Sequence, residues 1–167
     1  MFCKVLHWET SAIFSQCCAL LCHVIYFENA ELLFLPFFFS RIFLVIPECS
    51  QYKVLSGIDR HQDYYNIYGK KCDNDLTEDW YRFYGKAGTV MALNCVLTHR
   101  CHTDLPGWMK GSLPTVDEGV VLRKVCFHGY GRCCFREIDI NVRNCGLFYV
   151  YRLKKLTVCH SRYCGSS

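Results

Sequence analysis

The stretch Cys133-Cys-Phe-Arg-Glu-Ile-Asp-Ile-Asn-Val-Arg-Asn-Cys145 decides the fold. It alternates at period two. Cys134, Ile138, Ile140 and Val142 fall on one face, and Glu137, Asp139, Asn141 and Arg143 on the other. That is the pattern of a β-strand. Its first two residues are adjacent cysteines. Consecutive Cα atoms lie about 3.8 Å apart, whereas a disulfide spans roughly 4.4–6.8 Å, so Cys133 and Cys134 do not bridge each other. On a regular strand their side chains point to opposite faces, and the pair rivets two layers through two different partners.

The flanking sequence continues the pattern. Asn144-Cys145-Gly146 reads as a tight turn in which Gly146 is free to take φ > 0. Leu147–Leu153, rich in aromatic and branched residues, then pairs back as a hairpin. Val120–Cys126 reads as another strand, joined to Arg132 through the short glycine-containing link His128-Gly-Tyr-Gly131, and Trp80-Tyr-Arg-Phe83 as a further one. Gly85–Gly88 and Pro106–Gly111 read as ordered loops, and Asp75–Asp79 as a single helical turn. No internal repeat or low-complexity linker interrupts the chain. The sequence predicts a mainly β, small disulfide-rich extracellular domain with long loops and little helix.

Ten of the 14 cysteines lie from Cys49 onward, at 49, 72, 95, 101, 126, 133, 134, 145, 159 and 164. An even number at this density marks a disulfide scaffold in an oxidising compartment. Such a domain has a structural need for them, because a small β-fold with long loops buries too little apolar surface to offset its chain entropy. In the chain-entropy model, a bridge closing about 100 residues contributes roughly 4.7 kcal/mol.

The first 47 residues differ in kind. They hold only Lys4 and Arg41 against Glu9, Glu28 and Glu31, and include the apolar run Leu32–Ile46. Lys4 followed by Ile13–Phe27 resembles the basic start and apolar stretch of a secretory signal, but Glu28-Asn29-Ala30 is a poor cleavage site. Leu32–Ile46 is broken by Pro36 and Arg41 and is shorter than the roughly 20 residues of a spanning helix. Three readings stay open for 1–47: an atypical signal, a weak anchor acting through residues 32–46, or misassigned coding sequence. The folded domain is expected at 48–165. Residues 48–167 hold 17 of the 19 basic and 12 of the 15 acidic residues. With no basic run beyond Lys154-Lys155, that surplus is a solvated surface and argues against a nucleic-acid partner.

Two chemistries are weakly supported. Structural zinc favours Cys-x2–4-Cys pairs. Of Cys95-x5-Cys101, Cys126-x6-Cys133 and Cys159-x4-Cys164, only the last fits, so no metal or other cofactor is expected, and His99, His102, His128 and His160 read as polar loop residues. Asp104, Asp117, Glu118 and His128 could serve acid–base chemistry, but their spacing does not set them apart from surface charges, and no Gly-x-Ser-x-Gly turn is present. An even cysteine count leaves no free nucleophile. No catalytic residue is assigned. Trp80, Tyr81, Phe83, Trp108, Tyr149 and Tyr151 are core or ligand-facing aromatics. No Asn-x-Ser/Thr sequon occurs, so no N-glycan is expected.

In order along the chain stand Cys72-Asp73, Trp80-Tyr-Arg-Phe83, Gly85-x-Ala-Gly-x-x-Met91, Cys95-x5-Cys101, Pro106-Gly-Trp108, Gly111 and Val125-Cys126. Cys133-Cys134, Val142-Arg-Asn-Cys145, Phe148-Tyr-Val-Tyr151, Leu153 and Arg162-Tyr-Cys-Gly165 follow. This set resembles the extracellular eight-to-ten-cysteine domain of the uromodulin family. The chain departs from it at Asp79, Ala92 and His102, where glycine, proline and glycine are usual. The resemblance implies a secreted or cell-surface module of a mosaic protein. It implies the pairs Cys49–Cys145, Cys72–Cys159, Cys95–Cys133, Cys101–Cys164 and Cys126–Cys134. Some relatives carry a glycosylated asparagine after Tyr-Val-Tyr and present mannose-rich glycans to bacterial adhesins; Arg152 occupies that place here. The expected function is a non-enzymatic interaction or structural module whose partner is an extracellular protein or glycan, with Trp108, Lys110, Tyr151 and Arg152 as the binding surface. The alternative is a lectin-like binder or enzyme with a pocket near Trp108 and Tyr149.

Overall fold

The strand read from residues 133–145 becomes the longest of a seven-stranded sheet. The computed structural model describes residues 46–167. In it, β6 (Arg132–Asn144) pairs antiparallel with β5 (Val120–Gly129) on one side and β7 (Tyr149–Leu153) on the other. The turn between β5 and β6 is two residues, Tyr130 (φ 51°) and Gly131 (φ 72°). Two positive φ values match the right-handed twist of a hairpin. Between β6 and β7, Asn144 Oδ1 accepts the Gly146 N–H at 2.8 Å and Phe148 O accepts the Cys145 N–H at 2.8 Å.

β2 (Asp79–Phe83) extends the sheet beside β7, and β1 (Lys53–Leu55) runs parallel to β2. On the other flank, β4 (Leu105–Lys110) is antiparallel to β5 and β8 (Ser161–Tyr163) is parallel to β4. The strand order is β1-β2-β7-β6-β5-β4-β8. β3 (Val90–Met91) and β9 (Gly165–Ser166) form a separate two-stranded ladder. The remaining described elements are α1 (Pro47–Ser50) and 3₁₀ turns at Ile58–Arg60 and Gly85–Ala87. The domain is mainly β.

One face of the sheet makes the core. Val125, Ile140, Val142, Tyr151, Phe83 and Met109 are all buried there. The register sets Trp108, Lys124, Asp139, Asn141 and Arg152 on the opposite, outer face. One end of that outer face is covered by the segment after Ile46. Glu48 pairs with Arg143 at 2.7 Å, and Tyr52 packs on Phe148 with ring centroids 5.3 Å apart. The Arg82 guanidinium lies 4.0 Å from the Phe148 ring centre and donates to Tyr52 Oη at 3.0 Å, a cation–π cage. Val150, on the same outer face, is fully buried.

Five disulfides pin this sheet: Cys49–Cys145, Cys72–Cys159, Cys95–Cys133, Cys101–Cys164 and Cys126–Cys134, with Cα separations of 5.7, 5.4, 5.5, 5.7 and 4.7 Å. The first, second and fourth tie residues 96, 87 and 63 positions apart.

Four local readings are corrected. Pro106–Lys110 is strand, not loop. Pro106 precedes the ladder with β5, which opens at Gly107↔Phe127, so its missing N–H costs nothing there. Gly107 is fixed by that pairing, because a Cβ on it would stand 2.7 Å from Phe127 Cε1. Asp75–Asp79 forms no helix; its last residue opens β2. Gly85–Ala87 winds into a 3₁₀ turn. The adjacent cysteines do not sit on a regular strand. From Phe127↔Arg136 to Gly129↔Arg132, β5 advances two residues and β6 four, so Cys133 and Cys134 occupy a bulge. Cys126 shares its register with Glu137 on the outer face, and Cys134 meets it there instead of lining up with Ile138.

Candidate interaction surface

The sheet separates the residues singled out for binding. Tyr151 is in the core. It is fully buried, its Oη accepts the Met91 N–H at 3.0 Å, and burial drives its phenol far above the usual tyrosine range. It presents nothing to a partner, and the reading of Tyr151 as a surface residue is corrected. Trp108, Lys110 and Arg152 do face outward. Trp108 is half-buried and donates from Nε1 to Cys133 O at 2.8 Å, so its polar edge is used within the domain. Lys110 is exposed at the end of β4 beside Lys124. Arg152 pairs with Glu78 at 3.2 Å, both about half exposed. Tyr149 lies on the core side of β7, where its Oη accepts from Asn144 Nδ2 at 3.2 Å. Trp108 and Tyr149 therefore stand on opposite faces of non-adjacent strands and enclose no common pocket.

Register brings other residues together. Trp80↔Arg152, Arg152↔Asn141 and Asn141↔Leu122 are successive cross-strand pairs, so these four residues form one row across β2, β7, β6 and β5 on the outer face. Neighbouring strands are about 4.8 Å apart, so the row spans roughly 14 Å. Leu122 is 62% exposed. Beside it Lys124 Nζ bridges Glu137 at 2.8 Å and Asp139 at 3.4 Å. The result is a flat sheet face with an aromatic at one end, an exposed leucine at the other and charges of both signs around them.

The acid–base candidates do not converge. Asp104 lies 3.2 Å from His99 Nδ1 and 3.2 Å from His160 Nδ1, with Lys70 Nζ at 3.5 Å. Glu118 instead accepts the Thr115 N–H at 2.7 Å, which holds its carboxyl below the ordinary range against slight desolvation. His128 is buried and its Nδ1 lies 2.9 Å from Val96 O; Asp117 is exposed in the loop before β5. Among the described residues, two groups combine metal-ligating atoms, Cys95/His128/Cys133 and Cys126/Cys134/Glu137. In each the sulfurs are joined as a disulfide, and a metal needs the thiolate.

No helix among the described residues is long and apolar enough to cross a membrane. The weak anchor expected at residues 32–46 falls outside the described residues, apart from Ile46, as do the signal-like features before it.

Residues 81–165 match the family model of the uromodulin-like cysteine-rich domain. The chain is 41% identical over 118 residues to the pancreatic secretory granule membrane major glycoprotein GP2 of Canis lupus familiaris, covering 70% of this chain and 23% of that protein. It is 41% identical over 117 residues to uromodulin of Rattus norvegicus, covering 70% of this chain and 18% of the relative. To the human GP2 it is 37% identical over 118 residues, 70% of this chain and 21% of the relative. The chain thus spans about a fifth of the length of these relatives. The family model reaches from inside β2 to the first residue of β9, so it takes in β3–β8 with both members of the adjacent cysteine pair. The chain belongs to the uromodulin-like domain family.

Proposed function

We propose that this domain acts as a non-enzymatic extracellular interaction module that binds another macromolecule through its outer sheet face. The domain is extracellular, as are those it resembles, and its five disulfides suit that compartment. The observation that carries the reading is the row Trp80–Arg152–Asn141–Leu122. A sheet locked by disulfides holds these side chains at fixed spacing, so little side-chain or loop entropy is lost on docking. Tryptophan and arginine dominate binding energy at protein interfaces, and an exposed leucine beside them supplies apolar area. The flanking charges of Lys124, Asp139 and Glu137 serve orientation and rate of encounter more than affinity. With no sequon in the chain, recognition rests on the polypeptide.

The test is capture from extracellular fluid by the immobilised full chain. Leu122→Asp combined with Arg152→Glu is expected to lower capture at least ten-fold while the disulfide map stays intact. Enzymatic deglycosylation of the chain is expected to change nothing. Undiminished capture by the double variant, or loss of capture on deglycosylation, would sink the proposal.

A further inference from the structure

The segment from Ile58 to Tyr68 keeps four large apolar side chains in solvent. Ile58 is 55% exposed, Tyr65 60%, Ile67 45% and Tyr68 76%. The segment is nevertheless tightly held. Gln62 N–H donates to Gly165 O at 2.8 Å and Tyr64 N–H to His61 O at 3.0 Å. Tyr65 forms an antiparallel bridge with Arg100, whose Nη1 donates to Asp63 O at 2.7 Å and whose guanidinium packs 5.5 Å from the Tyr65 ring centre. Rigid exposed tyrosines have no role in the core and lose little entropy on contact.

Beside them runs a groove of about 520 Å³, walled by Ile58, Tyr64, Tyr65 and the chain of Lys86, with His61 and Asp63 at its rim. That volume lies within the range of small-molecule sites, roughly 300–1,000 Å³. The rim offers both senses of hydrogen bond. The Asp63 carboxylate, 77% exposed, accepts. His61 Nδ1 takes the Asp63 N–H at 3.2 Å, which leaves the proton of the neutral ring on Nε2, a donor. Lys86 donates and balances the charge of Asp63.

We propose that this groove binds a neutral pyranose of a glycan, stacked on Tyr65 and held by Asp63 and His61. A pyranose has a C–H face and a rim of hydroxyls that each donate and accept, which is the pairing of surfaces the groove provides. An alkyl chain would leave the three polar groups unpaired at a cost. An added peptide strand would need free backbone groups, and those of Gln62, Tyr64 and Tyr65 are already engaged. A sialylated or sulfated sugar would meet Asp63 with no net positive charge to offset it. This site is independent of the outer sheet face.

The full chain, secreted from an oxidising host, is applied to a printed array of neutral and acidic glycans. Binding is then measured by saturation-transfer NMR with the methyl glycosides of mannose, galactose and N-acetylglucosamine. At least one neutral glycoside is expected to receive saturation. Tyr65→Ala and Asp63→Asn should each weaken it ten-fold or more, Tyr65→Phe should retain it, and Leu122→Asp should leave it unchanged. No binding on the array, binding confined to acidic glycans, or binding undiminished by both Tyr65→Ala and Asp63→Asn would overturn the assignment. Because Leu122→Asp tests the sheet face alone, failure of one site is read separately from failure of the other.

Discussion

Arg60 and Asp73 face each other in a buried bidentate pair, Nη1 to Oδ2 and Nη2 to Oδ1 both at 2.7 Å. Arg60 is 7% exposed and Asp73 2%. Asp73 Oδ2 also accepts the Tyr163 N–H at 2.9 Å, so one carboxylate ties the 3₁₀ turn at Ile58–Arg60 to β8. Two charges taken out of water demand each other; removing one leaves the other unpaired. Asp73→Ala is expected to destabilise the oxidised domain by about 3–5 kcal/mol. The double change Arg60→Met with Asp73→Leu should cost clearly less. Denaturant midpoints under non-reducing conditions decide: equal losses in the single and double variants would show that the pair is not what matters.

Asp59 adds a pH dependence. Desolvation raises its carboxyl, but Lys71 Nζ near Oδ2 at 2.6 Å and the Arg162 guanidinium at 3.1 Å more than offset it, leaving the group well below the usual range. Below about pH 4 the unfolded chain takes up a proton that folded Asp59 refuses. The unfolded state then binds more protons, so stability present above that pH falls as the solution is acidified through the folded value. Asp59→Asn should lower stability at pH 7 and flatten its slope between pH 4 and pH 2. A wild-type slope retained in Asp59→Asn would refute the linkage.

Tyr151→Phe separates a core role from a binding one. It removes the only side-chain acceptor the structure gives the buried Met91 N–H. An unpaired buried donor costs about 1–3 kcal/mol. We expect that loss in a chemical melt, with partner capture per folded molecule unchanged. Reduced capture at full stability would return Tyr151 to the interface.

The β-strands around 80–83, 120–126, 137–144 and 147–153 were legible because each alternates or is dense in aromatic and branched residues. β4 was not, because Pro106 and Gly107 mimic a loop; only the ring of Phe127, 20 residues on, explains the glycine. The bulge at Cys133 and Cys134 was hidden for a similar reason, since a two-residue slip is set by the partner strand and by Cys126. Of the binding residues, Arg152 is exposed but Tyr151 is not, and single-residue alternation on β7 could have told them apart once Val142 was taken as core. The row Trp80–Arg152–Asn141–Leu122 joins four strands through three registers, which no local pattern encodes. The tyrosines at 64, 65 and 68 were a visible composition signal that lacked a strand or helix period to place them.

We propose that the folding unit starts at Pro47. Every bridged cysteine lies at 49 or beyond, and α1 makes its own ties to the sheet: Cys49 to Cys145, Glu48 to Arg143 at 2.7 Å, and Tyr52 just after it to Arg82 at 3.0 Å. A chain beginning at Pro47 should therefore fold in an oxidising host with the same five-bridge map and the same melting temperature as the full chain. Cutting further in has a different outcome. Cys49–Cys145 joins residues 96 apart, and losing a bridge of that span costs about 2–5 kcal/mol. Cys49→Ala with Cys145→Ala in the shortened chain should thus lower its stability by that amount, and the flanking Glu48–Arg143 pair, about four-fifths buried on both sides, should become easier to disrupt by salt. Non-reducing peptide maps and melts of the three chains test this. Aggregation of the Pro47 chain while the full chain stays soluble, or a bridge from Cys17 or Cys18 into the domain, would place the boundary elsewhere.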